Sequence, residues 1–143
     1  MYVSSILRNK GHGVTTMPPG ASLAEAARTL KHEHIGAVVV PGVGGKVAGI
    51  LSERDIVHAM AARGPAALKA PISEHMSRDV ATCTPDTPVD SVMRDMTTRR
   101  SRHMPVMRDG ALVGIVSVGD VVKHRIDELE TESTVLKQYV MQG

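Results

Sequence analysis

The strongest constraint on this chain is that much of it is written twice. Gly49-Ile50-Leu51-Ser52-Glu53-Arg54-Asp55-Ile56-Val57 returns as Gly114-Ile115-Val116-Ser117-Val118-Gly119-Asp120-Val121-Val122, at a displacement of 65. Upstream, Thr16-Met17-Pro18-Pro19 answers Thr82-Cys83-Thr84-Pro85 at 66, and Ile35 to Val39 answers Arg102 to Val106 at 67. Self-similarity at a fixed period means one supersecondary unit used repeatedly, whose copies bury each other's faces.

Each copy carries the same local signals in the same order. In the first, Val14-Thr15-Thr16 is a short β-prone piece, Pro18-Pro19-Gly20 a turn, and Ser22-Leu23-Ala24-Glu25 a capping box opening a helix with Leu23, Ala26, Ala27 and Leu30 at helical spacing. Ala37 to Val40 and Val47 to Leu51 then form a hairpin around a glycine-rich loop, and a second helix runs from Ser52 to about Ala62. The second copy repeats this with a strand at Val80 to Thr82, a helix from Thr87-Pro88 to Arg99, strands Met104 to Met107 and Leu112 to Val116 around Asp109-Gly110, and a helix from Ser117. The unit is β-α-β-β-α. About 50 residues are too few to cover both faces of such a sheet, so two copies are expected to pack sheet to sheet. The fold class is α/β, in five parts: an N-terminal helical segment (1–13), the first unit (14–62), a linker with a short helical turn (63–78), the second unit (79–127) and a C-terminal helix extension (128–143).

That extension continues the last helix. Val122, Ile126, Leu129, Ser133, Leu136 and Val140 follow a 4-3-4-3-4 spacing, a heptad-like seam too long to lie over one small unit. It predicts packing on a second chain, with Val3, Ile6 and Leu7 joining as a short helix; a helix folded back on its own chain is the alternative.

Composition excludes several classes. Cys83 is the single cysteine, so neither an intrachain disulfide nor a cysteine-based zinc site can form. With 17 basic and 15 acidic residues the net charge is only +2, and with no Phe, no Trp and two tyrosines there is little to stack on bases, so a nucleic-acid partner is not expected. Polar residues (Ser4, Ser5, Arg8, Asn9, Lys10) stand where a signal peptide needs an apolar run, and no segment reaches the length of a membrane span; a cytoplasmic protein with no membrane contact is expected. No G-x-G-x-x-G, P-loop or Ser-His-Asp set is present, which argues against a small NAD(P)- or ATP-using enzyme. His32-Glu33-His34 looks like a metal pair but has no third ligand and suits a helix C-terminus. Met93, Met96, Met104 and Met107 suit a core without phenylalanine.

Gly-apolar-apolar-Ser-x-x-Asp after a strand, twice in register, together with Arg102-His103-Met104-Pro105-Val106 entering a middle strand, resembles the cystathionine-β-synthase-type (CBS) domain pair over about residues 14 to 127. The resemblance implies a free-standing, non-enzymatic module that needs no cofactor and binds an adenosine ligand in clefts between its units. AMP, ADP, ATP and NAD or NADH stand first among such ligands, ahead of S-adenosylmethionine. It implies Asp55 and Asp120 as acceptors for ribose hydroxyls, and Ser52 and Ser117 as contacts to phosphate or ribose. Ile35, Gly36, Ala37, Met104 and Pro105 would face adenine, with Thr16 and Thr82 lining the pocket from the first strands.

The residue types suit that chemistry independently. A carboxylate is a natural acceptor for a vicinal diol, a helix start suits a phosphate, and Arg54, Arg102 and His103 supply positive charge. Ser52-x-x-Asp55 and Ser117-x-x-Asp120 are equally capping boxes that need no ligand. Arg99 and Arg100 suit a solvated helix end. Val118-Gly119 in place of Glu53-Arg54, and Gly36 matched to His103, predict two unequal clefts, the stronger phosphate candidate holding Arg102, His103 and Asp120. The expected role is a sensor acting as a homodimer on an unidentified regulated protein; a small NAD(P)- or ATP-using enzyme is the first alternative and a structural dimerisation module with empty clefts the second.

Overall fold

A computed structural model describes residues 1–142; Gly143, the last residue of the expected extension, lies outside the described residues. Helix α1 (Val3–Lys10) leads into the first unit: helix α2 (Leu23–Glu33), strands β1 (Ala37–Pro41) and β2 (Val47–Ser52), and helix α3 (Glu53–Arg63). Two 3-10 turns, Gly64–Lys69 and Ile72–Glu74, lead into the second: α4 (Val89–Arg99), β3 (His103–Arg108), β4 (Ala111–Ser117) and α5 (Val118–Gln142).

Local chemistry places these elements. Ser22 and Glu25 bond each other's backbone amides at 3.1 Å each, the reciprocal box that starts α2. Asp109 and Gly110 both take positive φ (52° and 77°), as a two-residue hairpin turn requires. Helices α2 and α4 each end on a residue in the left-handed region, His34 and Arg100, which turns the chain into its strand. His34 is therefore a helix cap. Pro88, expected at the first helical position, is the N-cap of α4, one residue earlier.

Each hairpin is antiparallel, and the third strand of each unit is shorter than expected. Val14 to Thr16 is reduced to a single parallel bridge, Thr16 to Val39, and in the second unit the bridge, Cys83 to Val106, falls one residue beyond the expected Val80 to Thr82. The pairing register also corrects the alignment of the copies. Ala37 pairs with Ser52 and His103 with Ser117, so His103 is the equivalent of Ala37, and Gly36 that of Arg102. The bonds from Glu53 N–H to the Gly36 carbonyl (3.0 Å) and from Val118 N–H to that of Arg102 (2.9 Å) give the same register. The middle strands are thus displaced by 66, not 67.

Both faces of each hairpin are buried. Val38, Val40 and Leu51 face their own helices in one core, and Met104, Val106 and Val116 do so in another. The opposite face, Ala37, Val39 and Ile50, forms a third cluster with Leu112 and Ile115 of the other unit. A strand covered on both sides reads as an unbroken apolar run, which is why Val38 to Val40 shows no alternation.

The segment ahead of each unit completes the other. Val3 and Ser4 donate to the Thr87 and Pro85 carbonyls (3.0 and 2.9 Å), and Val89 donates back to Met1 (3.0 Å). In the same pattern Ile72 and Ser73 donate to Ala21 and Pro19 (2.8 and 3.0 Å), and Leu23 donates to Ala70 (3.0 Å). Val3, Ile6 and Leu7, expected on a second chain, are instead buried in the core of the second unit. The 63–78 stretch, expected as a linker, supplies Ala67, Ile72 and Met76 to the first core. Three apolar side chains on one face of an eight-residue helix find a complete pocket in cis, so they need no partner.

These segments pass over the first glycine of each repeated motif. A Cβ at Gly114 would lie 2.8 Å from Leu7 Cδ2; one at Gly49 would lie 2.7 Å from Met76 Sδ and 2.8 Å from the Ser77 carbonyl oxygen. Overpacking of this kind costs about 1–3 kcal/mol. Gly49→Ala is expected at the upper end, because a backbone oxygen cannot swing aside, and Gly114→Ala at the lower; urea melts of the two variants check the order.

Candidate functional site

A cavity of about 890 Å³ opens between the two units. The first turns of α3 and α5 both face it, through Ser52 to Asp55 and Ser117 to Gly119. At each start the serine Oγ accepts from the aspartate N–H (3.3 Å for Asp55, 3.1 Å for Asp120), and the aspartate Oδ2 accepts from the serine N–H (2.8 Å in both). Both boxes therefore exist as caps. With the Glu53 and Val118 amides spent on Gly36 and Arg102, the amides of Arg54 and Gly119 have no protein acceptor among the described residues. Both residues line the cavity, so two helix starts offer their N–H groups to one space.

The two aspartates differ. Asp55 lines the cavity; its Oδ1, like that of Asp120, has no hydrogen-bond partner among the described residues. Asp120 lies outside that lining; its Oδ2 accepts from Lys10 Nζ at 2.6 Å, and Lys10 also donates to the Ile115 carbonyl at 2.8 Å. Burial pushes the Asp120 carboxyl up, but hydrogen bonds from Lys10 and Ser117 and the lysine charge outweigh it and hold the group below its ordinary value. Where Lys10 reaches the Ile115 carbonyl, the other half has the Ser77 N–H on Ile50 (2.9 Å).

Cations dominate the rim. Arg54, Arg99, Arg100 and Arg102 line the cavity against Glu53, Asp55 and Asp79. The single ion pair among them, Arg99 to Asp79 at 3.9 Å, is exposed and weak. His103 stands between the halves, half-buried, its Nε2 3.0 Å from where a Cβ on Gly36 would sit. Burial, then the charges of Lys10 and Arg102, push its pKa below the usual histidine value, against the opposing pull of Glu53 and Asp120. Ile50, Val80 and Ala81 give the cavity an apolar wall.

Of the residues singled out in the sequence, Gly36, Ser52, Arg54, Asp55, Arg102, His103 and Ser117 are brought together in this cavity. Asp120 is turned to Lys10, and the carboxylates that line the cavity with Arg102 and His103 are Glu53, Asp55 and Asp79. Met104 and Pro105 are buried in β3, and Ala37 in the cluster between the sheets. Ile35 lines a separate groove between α2 and α3. Thr16 and Thr82 are off the lining, where Val80 and Ala81 take the expected place of Thr82. Arg99 and Arg100, which the sequence suits equally to a solvated helix end, line the cavity, and Lys10 carries no sequence signal for its place beside Asp120. The left-handed Arg100 that swings the α4 end into the cavity has no distinct sequence signal, and Lys10 acts across 110 residues. Cys83 is buried, its thiol pushed up to about 11 by burial and the nearby Asp95 charge, and so is a poor nucleophile. No described helix is long and apolar enough to cross a membrane.

A family model described as the CBS domain matches residues 3–62 and 72–127, each match beginning in the segment that crosses to the other unit. The CBS domain-containing protein CBSX3, mitochondrial, of Arabidopsis thaliana is 30% identical over 149 residues, covering 99% of this chain and 72% of the relative. The structure of the CBS-domain containing protein ATU1752 from Agrobacterium tumefaciens superposes with a TM-score of 0.84 at 45% identity, over 87% of this chain and 99% of that one. The CBS domain pair of protein MJ0100, solved in complex with 5′-methylthioadenosine and S-adenosyl-L-methionine, does so at 0.79 and 30% identity, over 90% and 98%. With both units matched and the whole architecture shared, the chain belongs to the CBS domain family, as a tandem pair.

Proposed function

We propose that this CBS pair is a regulatory sensor that binds a phosphate-bearing adenosine ligand in the cavity between its units and acts through a partner protein as a homodimer. The observation that carries the reading is the coexistence, in one 890 Å³ space, of an uncommitted Asp55 oxygen and four arginines. Asp55 Oδ1 accepts from the ribose diol while the purine lies on Ile50, Val80 and Ala81. The phosphates meet the free amides of Arg54 and Gly119 and the guanidinium groups, which suit phosphate in a forked geometry. The ligands of the MJ0100 pair support an adenosine core. Methylthioadenosine is neutral and S-adenosylmethionine carries a sulfonium cation, so the arginine rim favours an anionic relative of them. Ser52 and Ser117 are spent as helix caps, which supports binding without turnover.

Calorimetric titration with AMP, ADP, ATP, NAD and S-adenosylmethionine tests this. Saturable binding of a phosphate-bearing ligand, with the ligand recovered intact, is expected. Silence from the whole panel, with no rise in melting temperature, would leave a structural module; a ligand at 100 times its Kd should add about 2.7 kcal/mol.

His103 gives the reading a pH signature. Its pKa lies below the usual value in the free protein, and a phosphate in the cavity raises it, so binding takes up a proton. Affinity is expected to rise as the pH falls from 8 to 6, by at most about tenfold per unit of pKa raised. His103→Gln should flatten the profile. Free-protein stability should do the opposite, falling as the pH drops below the unfolded histidine value of about 6.5, because the unfolded chain takes the proton first.

A further inference from the structure

Helix α5 has two fates along its length. Val121 is buried in the second core, whereas Val122, Ile126, Leu129, Leu136 and Val140 are 45%, 49%, 48%, 63% and 68% exposed. Every residue from Leu129 to Gln142 is exposed, so this part of the helix extends clear of its own chain, with an apolar stripe along one side and Val135, Tyr139 and Met141 exposed off it.

The stripe has a register. With Ile126, Ser133 and Val140 at the a positions of a heptad, Val122, Leu129 and Leu136 fall at d. Ile126 and Val140 at a with Leu129 and Leu136 at d follow the pattern that favours two parallel strands; Ser133 at a and Val122 at d depart from it. The flanking charges agree. Arg125 and Glu132 occupy g positions and Glu130 and Lys137 the e positions that follow them, so in a parallel pair Arg125 meets Glu130 of the other copy, and Glu132 meets Lys137. An antiparallel pair centred on this segment would set Glu130 against Glu130 and Glu132 against Glu132, with Lys123 near Lys137. Arg125 already lies along this flank, 3.1 Å from Glu128.

We propose that the exposed stripe of α5 is an interface for a second copy of this chain, joined as a parallel, in-register two-stranded coiled coil over Val122 to Val140. This rests on the reading that the chain is a homodimer and adds its orientation. Ser133, small and polar in the middle of the seam, weakens the pair and marks its register.

Single introduced cysteines test the geometry, since the buried, high-pKa Cys83 stays silent. A disulfide needs Cα atoms within about 7 Å. Val140→Cys should form a linked dimer under mild oxidation. In an antiparallel pair centred near residue 131 the two cysteines would be about 27 Å apart, at 1.5 Å rise per residue, and no link would form. Sedimentation equilibrium should show twice the chain mass, Leu136→Asp should weaken association at least 100-fold with the melting of the core unchanged, and Glu130→Lys should weaken it about tenfold, recovered by Arg125→Glu in the same chain. A dimer of the Val140→Cys variant that fails to link, while Ile126→Cys and Leu136→Cys chains link when mixed, overturns the orientation and leaves the dimer standing. A monomer overturns both, and a dimer indifferent to Leu136→Asp places the contact elsewhere.

Discussion

Asp55→Ala is expected to lower the affinity for a phosphate-bearing adenosine ligand by 30-fold or more, while Asp120→Ala changes it less than threefold. The comparison isolates the ligand contact from the structural role that the two residues share. Each aspartate accepts from the N–H of its serine at 2.8 Å, so each alanine removes the reciprocal half of a capping box, about 1 kcal/mol, and leaves the serine cap in place. Only Asp55 also lines the cavity, and only Asp120 is paired with Lys10. A charged acceptor lost from a ligand contact costs about 1.5–3 kcal/mol, some ten- to 150-fold, and the ribose has two hydroxyls to lose. Asp120→Ala instead orphans Lys10, which costs stability. Calorimetric titration beside urea melts reads both effects. Equal loss of affinity in the two variants would show that capping alone explains the motif and would remove the ribose assignment from Asp55.

Leu7→Ala is expected to cost about 2–5 kcal/mol of stability, the cost of truncating a buried leucine. Leu7 is 1% exposed and covers Gly114, whose missing side chain leaves the space it fills. The loss should appear as one cooperative transition moved to lower denaturant with its slope unchanged. An early transition confined to the second unit would show instead that the units melt separately. Hydrogen exchange read separately at the buried amides of Val38 to Val40 in the first unit and of Met104 and Val106 in the second distinguishes the two results.

How much of this was legible beforehand depended on range along the chain. The order of elements, the capping boxes at Ser22, Ser52 and Ser117 and the Asp109-Gly110 turn are encoded within four or five residues, and they stand where the sequence places them. The register of the middle strands was missed by one residue. Ile35 to Val39 and Arg102 to Val106 are both apolar enough to slide, and what fixes the register is the partner strand, in particular Ser52 and Ser117. The crossing of the leading segments was invisible for a stronger reason. Val3, Ile6 and Leu7 form an amphipathic stripe that fits a second chain as well as a distant part of the same one, and periodicity carries no address. The same holds for Lys10 and Asp120, and for the two arginines at the end of α4.

The crossing pattern has a consequence for how the chain comes to be folded as it leaves the ribosome. The first unit's own core needs nothing beyond Met76, so it can close soon after that point is synthesised. Helix α1 must wait for β4 and α5, about a hundred residues later, with Val3, Ile6 and Leu7 meanwhile exposed to whatever is nearby. Contacts of such sequence separation form late, and the unsatisfied apolar stripe is the part of the nascent chain most open to aggregation or to capture by a chaperone. Transfer of an extra domain onto the front of α1 should therefore burden folding more than the same domain placed after α5.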